Sequence, residues 1–345
     1  MLKPNIDSPP KPNKFPQRRI MLPAIVVIVL AGSTFTWAST RPCSWGEYKD
    51  NFFSCKSYQS FKDVQIEVSG QFTYGGSTAL LNLGKQFENV ISNVHEGFSV
   101  TSKDIRSSTQ SEIIPWSGEA IRQLIEGDLD IAFSSRDLTQ EERDRATQEG
   151  FSLEAIPVAM DGLAFFVHKD QEVNSLSLDE IVEIYAGRKR NWQELQSSND
   201  LPINVFSPDP IDNKGLPEYF QKEIMRRQEF NLNVQTGTPS QVIQGVAANK
   251  GGIGFASASV FCKMESLPTK PLLIEQSGGS FSPCEGTRFN EVAIADGTYP
   301  LARKLFVIIR RDGTNREKAG IAYVNMLLSD EGQKLVRDAG YVPIR

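Results

Sequence analysis

Asp130-Ile131-Ala132-Phe133 reads as a short strand that delivers Ser134-Ser135-Arg136 to its end. Thr139-Gln140-Glu141-Glu142 follows, a capping box that opens a charged helix stopping at Gly150. The same strand-then-helix unit recurs on both sides. Upstream, Ile66-Glu67-Val68-Ser69-Gly70 reads as a strand running into Tyr74-Gly75-Gly76-Ser77-Thr78, after which Leu80, Leu83 and Phe87 recur at helical spacing. A second apolar segment ends at Trp116-Ser117-Gly118, and Ala120, Ile121, Leu124 and Ile125 form the inner stripe of another helix. Downstream, Leu163 to Val167 has the composition of a buried strand. Ser177-Leu178-Asp179-Glu180 caps a helix ending at Gly187, and Thr238-Pro239-Ser240-Gln241 caps one ending before Gly251-Gly252. Alternation of this kind predicts α/β layers.

Three of these junctions share a local chemistry. Gly75-Gly76-Ser77-Thr78, Ser117-Gly118 and Ser134-Ser135-Arg136 all place small hydroxyl residues or glycine where a strand gives way to a helix. Backbone N–H groups without intrahelical partners point outward there, the helix dipole favours negative charge, and hydroxyls add donors. Arg136 adds a full charge and a planar fork that matches a tetrahedral oxyanion. Any one junction alone is a cap or a turn; three together, with an arginine, predict an anion site.

Composition narrows the alternatives. The chain has 345 residues, a length for two domains, with 39% hydrophobic and 23% charged residues, so it is globular rather than disordered. A net charge of −5 argues against sequence-independent nucleic-acid binding. The two histidines, His95 and His168, lie far apart, and no Cys/His spacing suits a metal, so neither a metal nor a cofactor is expected. His168 reads as a hinge or surface residue, Trp192 as a packing anchor, and the run Glu141–Arg145 as a solvated helix face.

The N-terminus has its own character. Lys3, Lys11, Lys14, Arg18 and Arg19 stand against Asp7, and an apolar run from Ile20 to Ala31 leads through small residues to Trp37-Ala38. This is the pattern of an export signal cut near Ala38; an uncleaved anchor over residues 20–38 is the alternative. Export exposes Cys43, Cys55, Cys262 and Cys284 to oxidising conditions. Of the three possible pairings, 43–55 and 262–284 close the short local loops and are preferred. Residues 39–66 then form a disulfide-tied lead-in.

From residue 67 to the end the chain resembles the periplasmic phosphate-binding proteins of bacterial Pst-type ABC transporters. The resemblance rests on Gly75-Gly76-Ser77-Thr78, on Ile131 to Arg136, and on Ser177 to Trp192 with Ile184-Tyr185-Ala186-Gly187 and Asn191-Trp192. It extends through Gly251-Gly252-Ile253-Gly254-Phe255, Tyr299-Pro300-Leu301-Ala302-Arg303, Leu328 to Gln333 and Gly340-Tyr341-Val342-Pro343. It implies the type II periplasmic-binding-protein fold: two α/β lobes, each a mixed sheet flanked by helices, joined by two hinge-crossing strands around an anion cleft. Lobe 1 is expected at 67–165 and 296–345, lobe 2 at 166–295.

Carried over by position, the resemblance implies oxyanion binding at Gly75, Gly76, Ser77, Thr78, Ser117, Gly118, Ser135 and Arg136. It further implies a monomer, extracytoplasmic or periplasmic, that hands its anion to a membrane permease. Some branches place an aspartate in the third loop, where it accepts the proton of hydrogen phosphate and so rejects sulfate; here Asp137 is one position later. The second lobe departs further. Where the family has an arginine and then Ser-Gly-Thr opening a helix, this chain has Ser207-Pro208-Asp209 and Lys214-Gly215-Leu216. Lys214 replaces charge without the bidentate fork, and each lost charge-assisted bond is worth about 1.5–3 kcal/mol. Three functions are therefore expected in descending order: capture of phosphate or a related oxyanion for an ABC transporter, a related binding or interaction protein that has lost tight capture, and an enzyme acting on phosphate esters.

Overall fold

The computed structural model describes residues 58–103, 116–195, 197–209, 215–226, 228–264 and 266–345. The expected export signal, Cys43, Cys55 and Lys214 lie outside the described residues. Lys56–Arg345 forms one compact unit.

The unit begins β1 (Gly70–Gly76), α1 (Thr78–Val94), β2 (Phe98–Ser102), α2 (Trp116–Glu126), β3 (Ile131–Ser134) and α3 (Gln140–Gln148). The strand expected at 66–70 starts where that prediction ends. Ile66 and Val68 alternate as a strand would but are only half-buried and join no strand, whereas Phe72 and Tyr74 go inward as β1 pairs β2 and β3 in parallel. A 17-residue strand, β4 (Ser152–His168), leads into β5 (Ser175–Ser177), α4 (Leu178–Tyr185), β6 (Asn204–Pro208), α5 (Gly215–Tyr219), β7 (Gln235–Gly237), α6 (Pro239–Ala247) and β8 (Gly252–Ser257). Then come α7 (Ala258–Phe261), β9 (Thr269–Pro271), β10 (Leu273–Gln276), β11 (Gly279–Phe281), β12 (Cys284–Glu285), β13 (Arg288–Phe289), α8 (Glu291–Ala295), β14 (Ala302–Arg311), α9 (Asn315–Leu327) and α10 (Asp330–Asp338).

Nine described strands make one mixed sheet, in the order β2-β1-β3-β14-β4-β8-β6-β7 with β9 also on β4. β4 makes this continuous. Its first part, Ser152 to Gly162, runs antiparallel to β14; its second, Leu163 to Val167, runs antiparallel to β8. The two long strands thus cross between two α/β lobes, with β1, β2 and β3 on one side and β6, β7 and β8 on the other.

The helices form where sequence period and capping agree. Thr139, Ser177 and Thr238 each close a reciprocal capping box with the Glu or Gln three residues on. Ala120, Ile121, Leu124 and Ile125 are buried along α2, and Leu80, Leu83 and Phe87 along α1. Each lobe has an aromatic core: Tyr74, Phe87, Phe133 and Tyr323 in the first, Phe165, Tyr185, Phe220 and Phe255 in the second, with edge-on contacts at Tyr185–Phe220. Trp192 is fully buried, and its indole N–H donates to Gly251 O at 3.0 Å, so it is the packing anchor expected. His168 is buried rather than on the surface. It closes β4, and its Nδ1 accepts the Asp170 N–H at 3.1 Å, which stops the strand with a turn.

Cys262, just past α7, is bonded to Cys284 in β12, a separation of 22 residues. Closing a loop of that length removes chain entropy from the unfolded state. Replacing both cysteines by serine is expected to lower unfolding free energy by about 3 kcal/mol, measured by urea denaturation under non-reducing conditions; an unchanged midpoint would contradict this.

Candidate functional site

The C-terminal ends of the parallel strands β1, β3 and β6 carry the residues of interest, the edge at which open α/β sheets bind ligands. At the end of β1 the chain turns through Gly76, whose φ is +132°. A Cβ there would stand 2.1 Å from Phe133 O, so only glycine lets β1 and β3 lie this close at the turn. The following N–H, Ser77, donates to that same Phe133 O at 3.0 Å. This pulls Ser77 to the head of α1, fully buried, and its Oγ has no hydrogen-bond partner among the described residues. Thr78 is the first residue of that helix.

Ser117 and Gly118 are not a loop before a helix: α2 starts at Trp116, so both lie in its first turn. From there the Ser117 hydroxyl reaches Ser135. The two Oγ atoms are 3.3 Å apart, and the Ser135 N–H donates to Ser117 Oγ at 3.3 Å; both residues are buried. The turn after β3 is pinned by Ser134, whose hydroxyl donates to Arg136 O at 2.6 Å and accepts the Arg136 N–H at 3.2 Å.

Arg136 is not an open fork. Its Nη1 and Nη2 grip the Glu142 carboxylate at 3.0 and 2.6 Å, and Nη1 also donates to Asp137 O. Burial weighs most on this guanidinium and disfavours its charge, but the bonded Glu142, with Glu218 and Glu223 also acting on it, outweighs that and raises its pKa. Glu142 responds in the opposite sense: burial opposes its charge most, yet the Arg136 and Thr139 hydrogen bonds lower its pKa. The predicted solvated face 141–145 therefore contains one residue, Glu142, that belongs to the third loop. Asp137 is directed elsewhere. Its carboxylate, 62% exposed, accepts from Leu138 N–H and from Arg143.

The opposing wall comes from the second lobe. Ser207, the penultimate residue of β6, is buried, and its hydroxyl donates to Pro208 O at 2.9 Å. The short helix α5 begins at Gly215 and packs against α1 across the cleft. It carries Glu218 and Tyr219.

Between the walls lies a pair the sequence does not announce. Arg303 on β14 is the register partner of Asp161 on β4, and both are almost fully buried. Arg303 Nη2 and Nε donate to Asp161 Oδ2 at 2.8 and 3.3 Å, while Nη1 donates to Gly215 O at 2.9 Å. Its guanidinium also lies 5.1 Å from the Tyr219 ring centre. Asp161 Oδ1 accepts from Gly162 N–H and from Ser257 Oγ, at 2.8 and 2.6 Å. Tyr341 completes the floor by donating its phenol to Ala79 O in the first turn of α1. Burial raises its pKa above the ordinary phenol value, so it stays a donor.

The arrangement is a cleft between two α/β lobes with donors on one wall and the crossing strands at its base. It is the architecture of a two-lobed binding fold. Residues 67–331 match the PBP superfamily domain, and the chain belongs to that superfamily. A phosphate-binding protein PstS of Staphylococcus haemolyticus is 27% identical over 243 residues, covering 70% of this chain and 74% of that one. Its namesake from Staphylococcus aureus is 25% identical over 227 residues, covering 65% and 66%. Among solved structures, an ABC-type phosphate transport receptor from Vibrio cholerae superposes with a TM-score of 0.63 at 22% identity, over 79% of this chain and 99% of that one. PstS from Borrelia burgdorferi gives 0.58 at 18% identity, over 80% and 99%. The relatives are thus named as binding and transport proteins.

Breaking a buried ion pair on one side leaves the other charge uncompensated, at a cost of about 3–5 kcal/mol. Arg303→Met is expected to lose that much stability in urea denaturation, and adding Asp161→Asn to recover part of it. A loss below about 1 kcal/mol, the range of exposed pairs, would contradict the structural role given to the pair.

Proposed function

We propose that this protein captures phosphate or a closely related oxyanion in the cleft and presents it to the membrane permease of an ABC transporter. The observation that carries this is the Ser77 hydroxyl, fully buried at the head of α1 and left without a partner among the described residues, beside the linked Ser117 and Ser135. Leaving a buried hydroxyl unpaired costs about 1–3 kcal/mol, and a bound anion oxygen removes that cost. The anion's ligands in this proposal are the backbone and hydroxyls of Gly75–Thr78, Ser117 with Gly118, Ser135 and Arg136, with Gly215 and Lys214 on the far wall. The names of the relatives support the choice of phosphate.

The lobes divide, in this proposal, as 67–165 with 296–345 and 166–295, the crossing strands acting as hinge. The protein works outside the cytoplasm, exported through residues 1–38, as a monomer. Among the described residues no helix is long and apolar enough to cross a membrane. Binding and release without chemical change, rather than turnover, is the activity.

Isothermal titration of the ligand-stripped protein with phosphate is expected to give saturable one-to-one binding. Ser77→Ala removes one charge-assisted bond, about 1.5–3 kcal/mol, and should raise Kd roughly ten- to a hundredfold while leaving the unfolding midpoint in the absence of phosphate within error or higher. A folded wild-type protein that evolves no heat with phosphate, sulfate or molybdate would overturn the proposal.

A further inference from the structure

Glu218 occupies a place on the far wall that the expected anion ligands leave unexplained. Its side chain is 11% exposed. Oε1 accepts from Lys222 Nζ at 3.0 Å, one turn on, which is the ordinary use of a first-turn glutamate. Oε2 is different: it is buried and has no hydrogen-bond partner among the described residues. A buried carboxylate oxygen only accepts, and leaving it unpaired is costly. Glu218 stands on α5, which packs against α1, the helix whose head carries Ser77, and it acts electrostatically on Arg136, as Glu223 does.

Two buried polar atoms therefore lack partners on opposite walls: the Ser77 hydroxyl, which can donate, and Glu218 Oε2, which can only accept. Arg136 is paired with Glu142, which offsets part of the charge it brings to the ion. A tetrahedral ion that satisfies both atoms must offer one bare oxygen and one oxygen that still carries a proton. Phosphate and arsenate at neutral pH are such ions. Sulfate is not, and it would bring its charge against the carboxylate.

We propose that Glu218 is the residue that sets the cleft's choice of oxyanion, accepting the ion's own proton at Oε2 and so admitting protonated phosphate or arsenate while rejecting sulfate. This rests on the binding function proposed above. It places the discriminating carboxylate on the second lobe, on the helix that packs against α1. Asp137, which the sequence offered for the task, is engaged with Arg143 and Leu138 instead.

The test is calorimetric titration of the purified, ligand-stripped protein with phosphate, arsenate and sulfate at one pH and ionic strength. The wild type is expected to bind phosphate and arsenate with similar Kd and sulfate at least roughly a hundredfold more weakly. Glu218→Gln places an amide donor where the acceptor stood. It should cut the phosphate-to-sulfate preference roughly ten- to a hundredfold, the equivalent of one charge-assisted hydrogen bond, chiefly by letting sulfate in. If the variant binds phosphate with the preference unchanged, the assignment to Glu218 is wrong while phosphate capture stands. A wild type that binds sulfate as tightly as phosphate refutes the assignment whether or not the variant folds, and a wild type that binds none of the three refutes both.

Discussion

Arg303 and Asp161 hold the molecule's geometry at one point. They face each other across the two strands that pass between the lobes, and every described polar contact they make reaches a different part of the site. Asp161 ties the β4 backbone at Gly162 and the end of β8 at Ser257; Arg303 reaches the first residue of α5 through Gly215 O. A buried ion pair of this kind adds little net stability, because desolvation offsets attraction. Its value is positional. It fixes where the second-lobe wall stands relative to the strands on which closure must pivot, and the carbonyl of Gly215 serves as the contact.

From that point the cleft is assembled by short-range rules. Gly76 permits the close approach of β1 to Phe133, which buries Ser77 at the head of α1. Ser117, in the first turn of α2, meets Ser135 after β3 because α2 packs against β3. The result is a wall whose donors are held in place before any ligand arrives. Preorganisation of this sort reduces the ordering cost of binding. The opposite wall is poorer in hydroxyls than the resemblance implies, and its distinctive group is a carboxylate rather than a guanidinium.

What the sequence reveals follows from the distance over which each feature is determined. Capping boxes at Thr139, Ser177 and Thr238, the inner stripe of α2 and the Gly76-Ser77 turn at the head of α1 are set within a few residues, and all were legible. The Cys262–Cys284 bond was legible through spacing. The start of β1 was misplaced because Ile66 and Val68 alternate as convincingly as Phe72 and Tyr74, and only pairing with β2 and β3 distinguishes them. Arg303–Asp161 joins residues 142 apart and left no local trace. Glu142 was hidden inside a charged run, and nothing near Glu218 in the chain singles it out; in both, burial gives the residue its meaning, and burial is a property of the whole fold.

In the proposed complex one anion bridges a donor-rich first lobe and a carboxylate-bearing second lobe. A crystal structure of the phosphate complex addresses it directly. A single ion is expected in the cleft with one oxygen within hydrogen-bonding distance of Ser77 Oγ and a second oxygen on Glu218 Oε2. Phosphate bound elsewhere, or in the cleft with both of those atoms still unpartnered, would contradict it.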